Sequence, residues 1–348
     1  MRSRTNGTLQ RCHLDRAWHW ASNTLYEVGI CRELRSHPIA SHLDIFFFPS
    51  AKLTLRFTTK MRSSSFLSLA FALASAISSA LAASAGCGKA ATLTGGVKTI
   101  TAKGKSRQYT LQLPSNYDPS HPYRVVFGWH GANDNMDVTV RGTLVQPAGS
   151  FRHFGLEKTA NNTAIFVAPD ALNKAWYNRN DEDYAFFDAM LAALSAGLCI
   201  NEKQVFSIGF SHGGAFAKAL SCKRSSSLRG VIILDGGGPI DGSTGCVDDP
   251  IGAMVVHGVS DGIQGGRSTR DLYIKRNGCA ATNAREPAAN SKAAHILTEY
   301  QGCKEGFPVW YIAFDGQHWM APYDGGTGNN GDKTFTPAHA WRFITQFQ

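Results

Sequence analysis

The sequence predicts an α/β fold, with a mainly parallel central sheet and helices on both of its faces, formed by residues 86–348. Two observations lead to this prediction. Seven short runs of apolar and β-branched residues lack the alternation of a half-exposed strand, which is typical of strands buried on both faces of a parallel sheet. Helical patterns separate several of these runs, and alternating strands and helices produce layered α/β folds. The runs lie at 107–114, 124–131, 164–170, 204–210, 230–237, 253–261 and 308–316.

Three segments have the features of helices. Residues 181–198 carry acidic residues in the first turn and apolar residues at helical spacing. A run of small residues follows Ser211, and Pro337 stands near the start of a helical segment at 336–347. A length of about 263 residues suits one domain of this class. Residues 86–348 are therefore predicted to form a single catalytic-size domain, with no carbohydrate-binding module attached.

The segment at 61–85 has the pattern of a secretory signal peptide. Arg62 gives a basic start, an apolar stretch covers 66–81, and small residues suited to cleavage follow. The stretch is rich in Ala and Ser, which makes it a poor membrane span, and we expect no membrane association. Because signal peptides begin a chain, residues 1–60 are predicted to be a gene-model extension. The alternative is that they are a true pre-region followed by a signal anchor.

The net charge gives no sign of a nucleic-acid partner. The full chain carries a formal charge of +9, of which residues 1–60 contribute +5 and Arg62 one more. The remaining +3 lies on residues 86–348, where no run of Lys and Arg stands out. Proteins that bind nucleic acids usually carry a basic patch or stripe, so this class is disfavoured.

The predicted mature domain contains six cysteines, an even number that suggests three disulfides in an oxidising compartment. Their spacing leaves the pairing open, with Cys279 and Cys303 as the first candidate pair. No spacing matches a zinc site, and we expect no metal. Asn161 begins a glycosylation sequon, as expected for a secreted, extracellular protein. The six cysteines are Cys87, Cys199, Cys222, Cys246, Cys279 and Cys303.

Ser211 lies in the pattern Gly-Phe-Ser-His-Gly, directly after the apolar run 204–210 and before a helical segment. In α/β folds this strand–turn–helix context presents a nucleophilic serine at the edge of the sheet. Glycines flank such a serine because its turn is sharp and the helix approaches the strand closely. The alternative is a glycine-rich bend that happens to contain a serine.

A serine nucleophile needs a base and an acid that orients the base, and in this fold they follow it along the chain. Of the five later histidines, His318 alone lies in a loop directly after the last apolar run, which predicts it as the base. Asp261 ends the preceding run and is the preferred acid. Asp235, which ends the run before that, and Asp271 remain the alternatives.

Two backbone N–H groups are expected to stabilise the oxyanion that forms when an ester is attacked. One is that of His212, directly after the serine. The other comes from the segment 128–134, which contains the end of the run 124–131, from Ala132 or Gly131. His130 is expected to be a structural histidine that holds this loop.

Five segments resemble the secreted fungal feruloyl esterases, which are grouped with polyhydroxybutyrate-depolymerase-like α/β-hydrolase esterases. They are "LQLPSNYDPSHPYRVVFGWHGAND", "VAPDALNKAWYNRNDEDYAFFDAMLAAL", "VFSIGFSHGGAFAKALSC", "MVVHGVSDGI" and "FDGQHWMAPYDG". The resemblance covers residues 86–348, implies an α/β-hydrolase fold, and matches the family's catalytic residues to Ser211, Asp261 and His318. The tannase-like branch has cysteines beside the catalytic serine and histidine, whereas Phe210 and Trp319 occupy those positions here.

The resemblance implies release of ferulate or p-coumarate from arabinose on plant cell-wall xylan or pectin, without a cofactor. The polymer or its oligosaccharides would be the partner, xylanases would act alongside, and we expect a monomer. Trp176, Tyr177 and Trp319 could stack on the cinnamoyl ring, whereas Trp129 is expected to be a core residue. An acetylxylan esterase or polyester depolymerase would share the same triad. A secreted serine peptidase and a catalytically inactive binding protein are the more distant alternatives.

Overall fold

The computed structural model describes residues 82–240, 246 and 249–347 in full, together with the backbone of four strands near the start of the chain. Those four strands, β1 to β4, form an antiparallel sheet in chain order within a first unit, Met1–Ser78. The second unit is Ser79–Gln348. The first four strands are β1 (Arg2–Thr5), β2 (Thr8–His19), β3 (Thr24–Glu33) and β4 (Leu43–Phe46).

The second unit is built on a nine-stranded sheet with the order β12-β13-β11-β10-β9-β7-β8-β6-β5. The six strands from β13 to β8 in this order pair in parallel, while β5, β6 and β12 add antiparallel pairs at the two edges. The strands are β5 (Gly96–Ala102), β6 (Lys105–Gln112), β7 (Tyr123–Trp129), β8 (Ala164–Pro169), β9 (Ile200–Phe210), β10 (Gly230–Leu234), β11 (Gly252–Gly258), β12 (Ile296–Glu299) and β13 (Val309–Phe314).

Helices connect most of the parallel strands, as crossover connections between parallel strands require. Three long helices, α3, α4 and α5, contain most of the helical residues, and three single-turn 3₁₀ helices occur at Leu172–Lys174, Arg179–Asp181 and Ser225–Ser227. The α-helices are α1 (Met136–Arg141), α2 (Leu156–Ala160), α3 (Glu182–Gly197), α4 (His212–Lys223), α5 (Ile263–Asn277) and α6 (Thr336–Thr345).

The sheet carries a hydrophobic core on each face. Successive residues of β10 alternate between the two cores: Val231 and Ile233 pack on one side with residues of α3, α4 and α5, while Ile232 and Leu234 pack on the other with residues of α2 and α6. Both faces are therefore covered by helices, and the predicted α/β fold is confirmed. All seven predicted strands are present, with ends that differ by a few residues.

Two strands of this sheet were not predicted, and both are edge strands. Strand β5 is largely exposed, and the four residues of β12 are partly or fully exposed, so neither has the continuous apolar character of the buried strands. Edge strands pair on one side only and tolerate polar residues, which removes the signal used to find the others.

Three disulfides stabilise the second unit. They join Cys87 to Cys199, Cys222 to Cys246 and Cys279 to Cys303, and the last is the pair expected first from the sequence. Asn161, the predicted glycosylation site, is exposed at the end of α2. No helix in the fully described part of the chain has the length and hydropathy to cross a bilayer.

The packed domain begins before residue 86. The N–H of Ser84 donates to the carbonyl of Ile200 at 2.9 Å, and the Ser84 hydroxyl donates to the carbonyl of Leu198 at 2.7 Å. Residues 82–85, the end of the predicted signal peptide, thus contact the edge of the domain, whereas residues 61–81 lie outside the described part. The prediction that residues 1–60 are a gene-model extension concerns the gene and stays a prediction.

We expect His153 to make the stability of the fold depend on pH. Its ring is fully buried beside Phe166, and burial lowers its pKa from 6.5 to about 3. The folded state therefore keeps the ring neutral, while the unfolded chain takes up a proton below about pH 6.5. The stabilisation is complete above pH 6.5 and is lost as the pH falls towards 3, which amounts to about 3 kcal/mol between pH 7 and pH 4.

Denaturant unfolding of the wild-type protein and of His153→Phe at both pH values measures this contribution. The variant keeps the stacked ring but cannot bind the proton, so its free energy of unfolding should fall less between pH 7 and pH 4. His121→Phe, the same change at an exposed histidine, is the control. Parallel pH dependence in the wild-type and His153→Phe proteins would contradict the prediction.

Candidate active site

Five neighbouring strands end at one edge of the sheet, and each is followed there by a polar residue or loop considered above. In the order β13, β11, β10, β9 and β7, the strand ends lead to His318, Asp261, Asp235, Ser211 and Gly131. The carboxyl ends of adjacent parallel strands are where α/β folds build their sites. The topology therefore brings residues from five distant parts of the chain to one edge.

Ser211 occupies a strained turn between β9 and α4, with φ 56° and ψ −121°. This conformation is rare for a residue with a side chain and persists only where the surroundings enforce it. The space around the neighbouring glycines is too small for any side chain. A Cβ atom at Gly209 would lie 2.2 Å from the carbonyl oxygen of Gly213, and one at Gly213 would lie 2.1 Å from that of Trp129.

His318 and Asp261 form a short hydrogen bond. The distance between His318 Nδ1 and Asp261 Oδ2 is 2.6 Å, which joins the loops after β13 and β11. Asp261 can only accept in its ionised form, so Nδ1 carries the proton and Nε2 is left with a lone pair. A base whose Nδ1–H is fixed by a carboxylate is the arrangement that activates a serine.

No hydrogen bond joins the serine to the histidine in the described part of the chain. Among the fully described residues, Ser211 Oγ makes no hydrogen bond, and the His318 side chain is 45% exposed. The His318 ring packs against Phe210, the neighbour of Ser211, with 4.7 Å between the ring centroids. Catalytic hydrogen bonds often form fully only when substrate binds, so the lack of this bond is compatible with catalysis.

The expected oxyanion donors lie next to the serine. A Cβ atom built on Gly131 would lie 3.7 Å from Ser211 Cβ, so the loop after β7 passes directly beside the serine side chain. His212 is the first residue of the twelve-residue helix α4, whose N-terminus favours negative charge. Within the described part of the chain, the N–H groups of Gly131, Ala132 and His212 have no hydrogen-bond acceptor.

Asp235, the alternative acid, does not bond to His318. Its carboxyl oxygens accept the backbone N–H groups of Gly258, at 2.7 Å, and of Trp319, at 3.1 Å. Asp271, the other alternative, pairs with the adjacent Arg270. Asp261 is therefore the carboxylate in contact with the imidazole.

Possible metal ligands come together once in the described residues, at Asp235, Asp261 and His318, whose ligand atoms lie within 4.8 Å of one another. Hydrogen bonds already engage these atoms, within the acid–base pair and between Asp235 and two N–H groups. The group is therefore accounted for by the acid–base arrangement.

Comparison with known proteins identifies the family, although no family model matches the chain. It is 37% identical over 293 residues to feruloyl esterase D of Neurospora crassa, covering 82% of this chain and 98% of that protein. It is 39% identical over 264 residues to feruloyl esterase C of Emericella nidulans, covering 75% and 90%. This chain belongs to the fungal feruloyl esterases.

Solved structures with similar folds include a CE1 ferulic acid esterase from Anaeromyces mucronatus in complex with ferulic acid. It is 16% identical, with a TM-score of 0.47, over 73% of this chain and 90% of that one. An acetyl xylan esterase from Aspergillus awamori is 10% identical, with a TM-score of 0.49, over 64% and 94%. The family assignment depends on the sequence relatives alone.

In this feruloyl esterase the prediction that Trp176 stacks on substrate was wrong. Its side chain is fully buried, because it packs among Trp129 and Phe216 in the core. Its indole N–H donates to the carbonyl of His130 at 2.9 Å, and its backbone N–H donates to Nδ1 of His212 at 3.0 Å. Trp176 is thus hydrogen-bonded both to the segment after β7 and to the start of α4, the two segments that carry the expected oxyanion donors. Trp129 is buried in the core, as predicted.

His130 also holds this loop, as expected. Its Nδ1 contacts the carbonyl of Gly131 at 2.7 Å, and its Nε2 accepts the N–H of Ala171 at 3.1 Å. These partners require a neutral ring with the proton on Nδ1. Burial, the largest influence, lowers the pKa of His130 and favours this neutral form.

The other two aromatic candidates differ from Trp176. The Tyr177 side chain is exposed, its ring lies 5.4 Å from that of His212, and the Arg179 guanidinium lies 5.1 Å from its centre. Trp319 is partly exposed and packs against Phe314. Tyr177 is therefore the candidate whose ring is most accessible beside the serine turn.

A buried polar network missing from the sequence predictions holds the segment that carries Tyr177. Asp183 accepts the backbone N–H of Asn178 at 2.7 Å and pairs with Arg107 at 2.8 Å. Both partners of this ion pair are almost fully buried, so loss of either one would leave the other charge buried without its partner. From the sequence, Asp183 could be placed only in the first turn of a helix, because its ion-pair partner Arg107 lies 76 residues away in the chain.

We expect Trp176→Phe to lower kcat without raising KM. The smaller ring keeps most of the core packing but loses the hydrogen bond to His130, worth about 1 kcal/mol, which corresponds to a 3- to 10-fold lower kcat. Steady-state kinetics on methyl ferulate measure both constants. Trp310→Phe, the same change at a buried tryptophan in the core of the opposite face, is the control. A higher KM with unchanged kcat would show that Trp176 contacts the substrate.

Proposed function

We propose that this protein is a secreted serine esterase that releases ferulate or p-coumarate from arabinose on plant cell-wall xylan or pectin. The observation that supports the mechanism best is the bonded pair of His318 and Asp261 beside a serine on a strained turn. The names of its relatives supply the substrate class.

In the first half of the proposed reaction, Ser211 Oγ attacks the ester carbonyl while His318 Nε2 takes its proton. The carbonyl oxygen becomes an anion, which the N–H groups of His212 and of Gly131 or Ala132 stabilise. Asp261 holds Nδ1–H and stabilises the imidazolium. His318 then gives the proton to the departing sugar oxygen, which leaves a feruloyl ester on Ser211.

The second half regenerates the enzyme. A water molecule gives a proton to His318 Nε2 and attacks the feruloyl carbonyl, so that the same N–H groups stabilise a second oxyanion. Collapse breaks the bond to Ser211 Oγ, which takes the proton back from His318, and ferulic acid is released. One water is consumed and one ester bond is cleaved, with no redox change.

Secretion of the protein is part of this proposal. Three disulfides within the described residues suit an oxidising compartment, where such bonds persist. Two A-x-A patterns, Ala80-Leu81-Ala82 and Ala83-Ser84-Ala85, end the predicted signal peptide. The contacts of Ser84 with the domain favour cleavage after the first, at Ala82.

We expect the wild-type protein to hydrolyse methyl ferulate and methyl p-coumarate, and Ser211→Ala to lower kcat by about 10⁴-fold or more, since the nucleophile is lost. Release of the acids, followed by absorbance, measures this for methyl ferulate, p-coumarate, caffeate and sinapate, with 4-nitrophenyl acetate as comparator. Ser207→Ala, at a buried serine within β9, is the control.

The outcomes separate the candidate functions. Turnover of 4-nitrophenyl acetate alone would be compatible with the serine mechanism but would indicate a deacetylase or general esterase. Hydroxycinnamate turnover that survives Ser211→Ala would refute the proposed nucleophile. A lack of serine-dependent turnover of any ester would support the catalytically inactive binding protein.

We expect Tyr177→Ala to raise KM for methyl ferulate about 3- to 10-fold, because an aromatic contact contributes roughly 0.5–1.5 kcal/mol. KM for 4-nitrophenyl acetate should change less, since acetate offers no ring on the acyl side. Val97→Ala, which shortens another exposed hydrophobic side chain on the edge strand β5, is the control. Equal changes for both substrates would refute a role in cinnamoyl binding.

A further inference from the structure

Asp235 is a buried carboxyl group at the end of β10, between the strands that lead to Ser211 and Asp261. Its backbone has a φ of 41°, and it is 4% exposed, so it cannot reach a substrate bound at the surface. Positive φ values in non-glycine residues are uncommon and are often found where function requires a particular side-chain direction.

The two oxygens of this carboxyl group bond to two different loops of the site. Oδ1 accepts the N–H of Gly258 at 2.7 Å, and Oδ2 accepts the N–H of Trp319 at 3.1 Å. Gly258 ends β11 three residues before Asp261, and Trp319 directly follows His318. One side chain therefore connects the backbone of the acid loop to the backbone of the base loop.

These loops also contact each other directly. The N–H of Val259 donates to the carbonyl of Phe314, and that of Ser260 donates to the carbonyl of Gly316, both at 2.9 Å. These bonds fix the starts of the two loops, while Asp235 holds the base loop one residue beyond His318. The two loops that carry Asp261 and His318 are thus joined by two direct backbone hydrogen bonds and by the two that Asp235 accepts.

His257 completes the surroundings of Asp235. Its Nε2 lies 2.9 Å from the carbonyl oxygen of Asp261, which can only accept, so Nε2 carries a proton. Its Nδ1 lies 3.5 Å from Asp235 Oδ1 and forms no hydrogen bond with any described group. Burial raises the pKa of Asp235 and lowers that of His257, which is consistent with a neutral pair.

We propose that Asp235 is a positioning residue, which holds Asp261 and His318 at hydrogen-bond distance by binding the backbone of both loops. This inference is based on the proposed roles of Ser211, Asp261 and His318. It assigns to Asp235 a role different from that of triad acid, since its oxygens face backbone N–H groups and not the imidazole.

The test compares Asp235→Asn with the wild-type protein by labelling Ser211 with an organophosphonate. An asparagine of the same shape has one acceptor oxygen, and its NH₂ group would face the second backbone N–H. The fraction of chains labelled reports folded sites, whereas the rate constant of labelling reports how well each site is arranged. Steady-state kinetics on methyl ferulate give kcat and KM. Asp235→Gly, which tolerates the positive φ, is the second variant.

We expect full labelling of Asp235→Asn, with a labelling rate constant and kcat about 10- to 100-fold lower and KM within threefold, because small displacements of catalytic groups have effects of this size. Asp118→Asn is the control, since Asp118 Oδ1 also accepts a backbone N–H group, that of Ser120, in the loop before β7 and outside the acid and base loops. Its kinetics should stay within twofold of wild type.

Three results would overturn the inference alone. They are wild-type kinetics in both Asp235 variants, a lower labelled fraction with an unchanged rate constant, and an equal loss in Asp118→Asn. Ser211→Ala is run in parallel and should not be labelled. Labelling or turnover in Ser211→Ala would overturn the proposed mechanism itself, and with it the role given to Asp235.

Discussion

The close approach of β9 and α4 at Ser211 is the constraint on which the site depends. A Cβ atom on Gly209 would overlap the carbonyl oxygen of Gly213, and a Cβ atom on Gly213 would overlap the carbonyl oxygen of Trp129. One of these carbonyls belongs to Trp129, the last residue of β7, so the same approach brings the loop at Gly131 beside the serine. Close backbone packing therefore brings the proposed nucleophile and the proposed oxyanion donors together.

Buried polar side chains then fix the loops that the strands leave free. Asp183 holds the segment with Tyr177, His130 and Trp176 hold the segment after β7, and Asp235 holds the loops of the acid and the base. Each of these groups is buried and hydrogen-bonded, since a buried polar group without a partner would destabilise the fold. A site whose loops are held in this way is preorganised, and preorganised polar groups are a main source of electrostatic catalysis.

The ends of the strands were predictable from the sequence because the six central strands are apolar on both faces. Since the carboxyl ends of parallel strands meet at one edge of the sheet, Ser211, Asp261 and His318 could be placed there together. The exposure of neighbouring aromatic residues was not predictable. Trp176 and Tyr177 are adjacent, yet one is fully buried and the other exposed. Local sequence carries no signal for this difference, because it depends on Trp129 and Phe216, which are distant in the chain.

Asp235 illustrates the same limit for polar residues. Its position at the end of a strand made it an alternative acid, because the sequence pattern of a triad acid and of a residue that holds loops is identical. The two roles differ only in what the carboxyl oxygens face, and three-dimensional packing decides this. Asp261 is hydrogen-bonded to His318, whereas Asp235 is hydrogen-bonded to the backbone near both residues, so the two carboxyl groups have different roles. Asp261 contacts the imidazole of His318, and we propose that Asp235 holds Asp261 at hydrogen-bond distance from that ring.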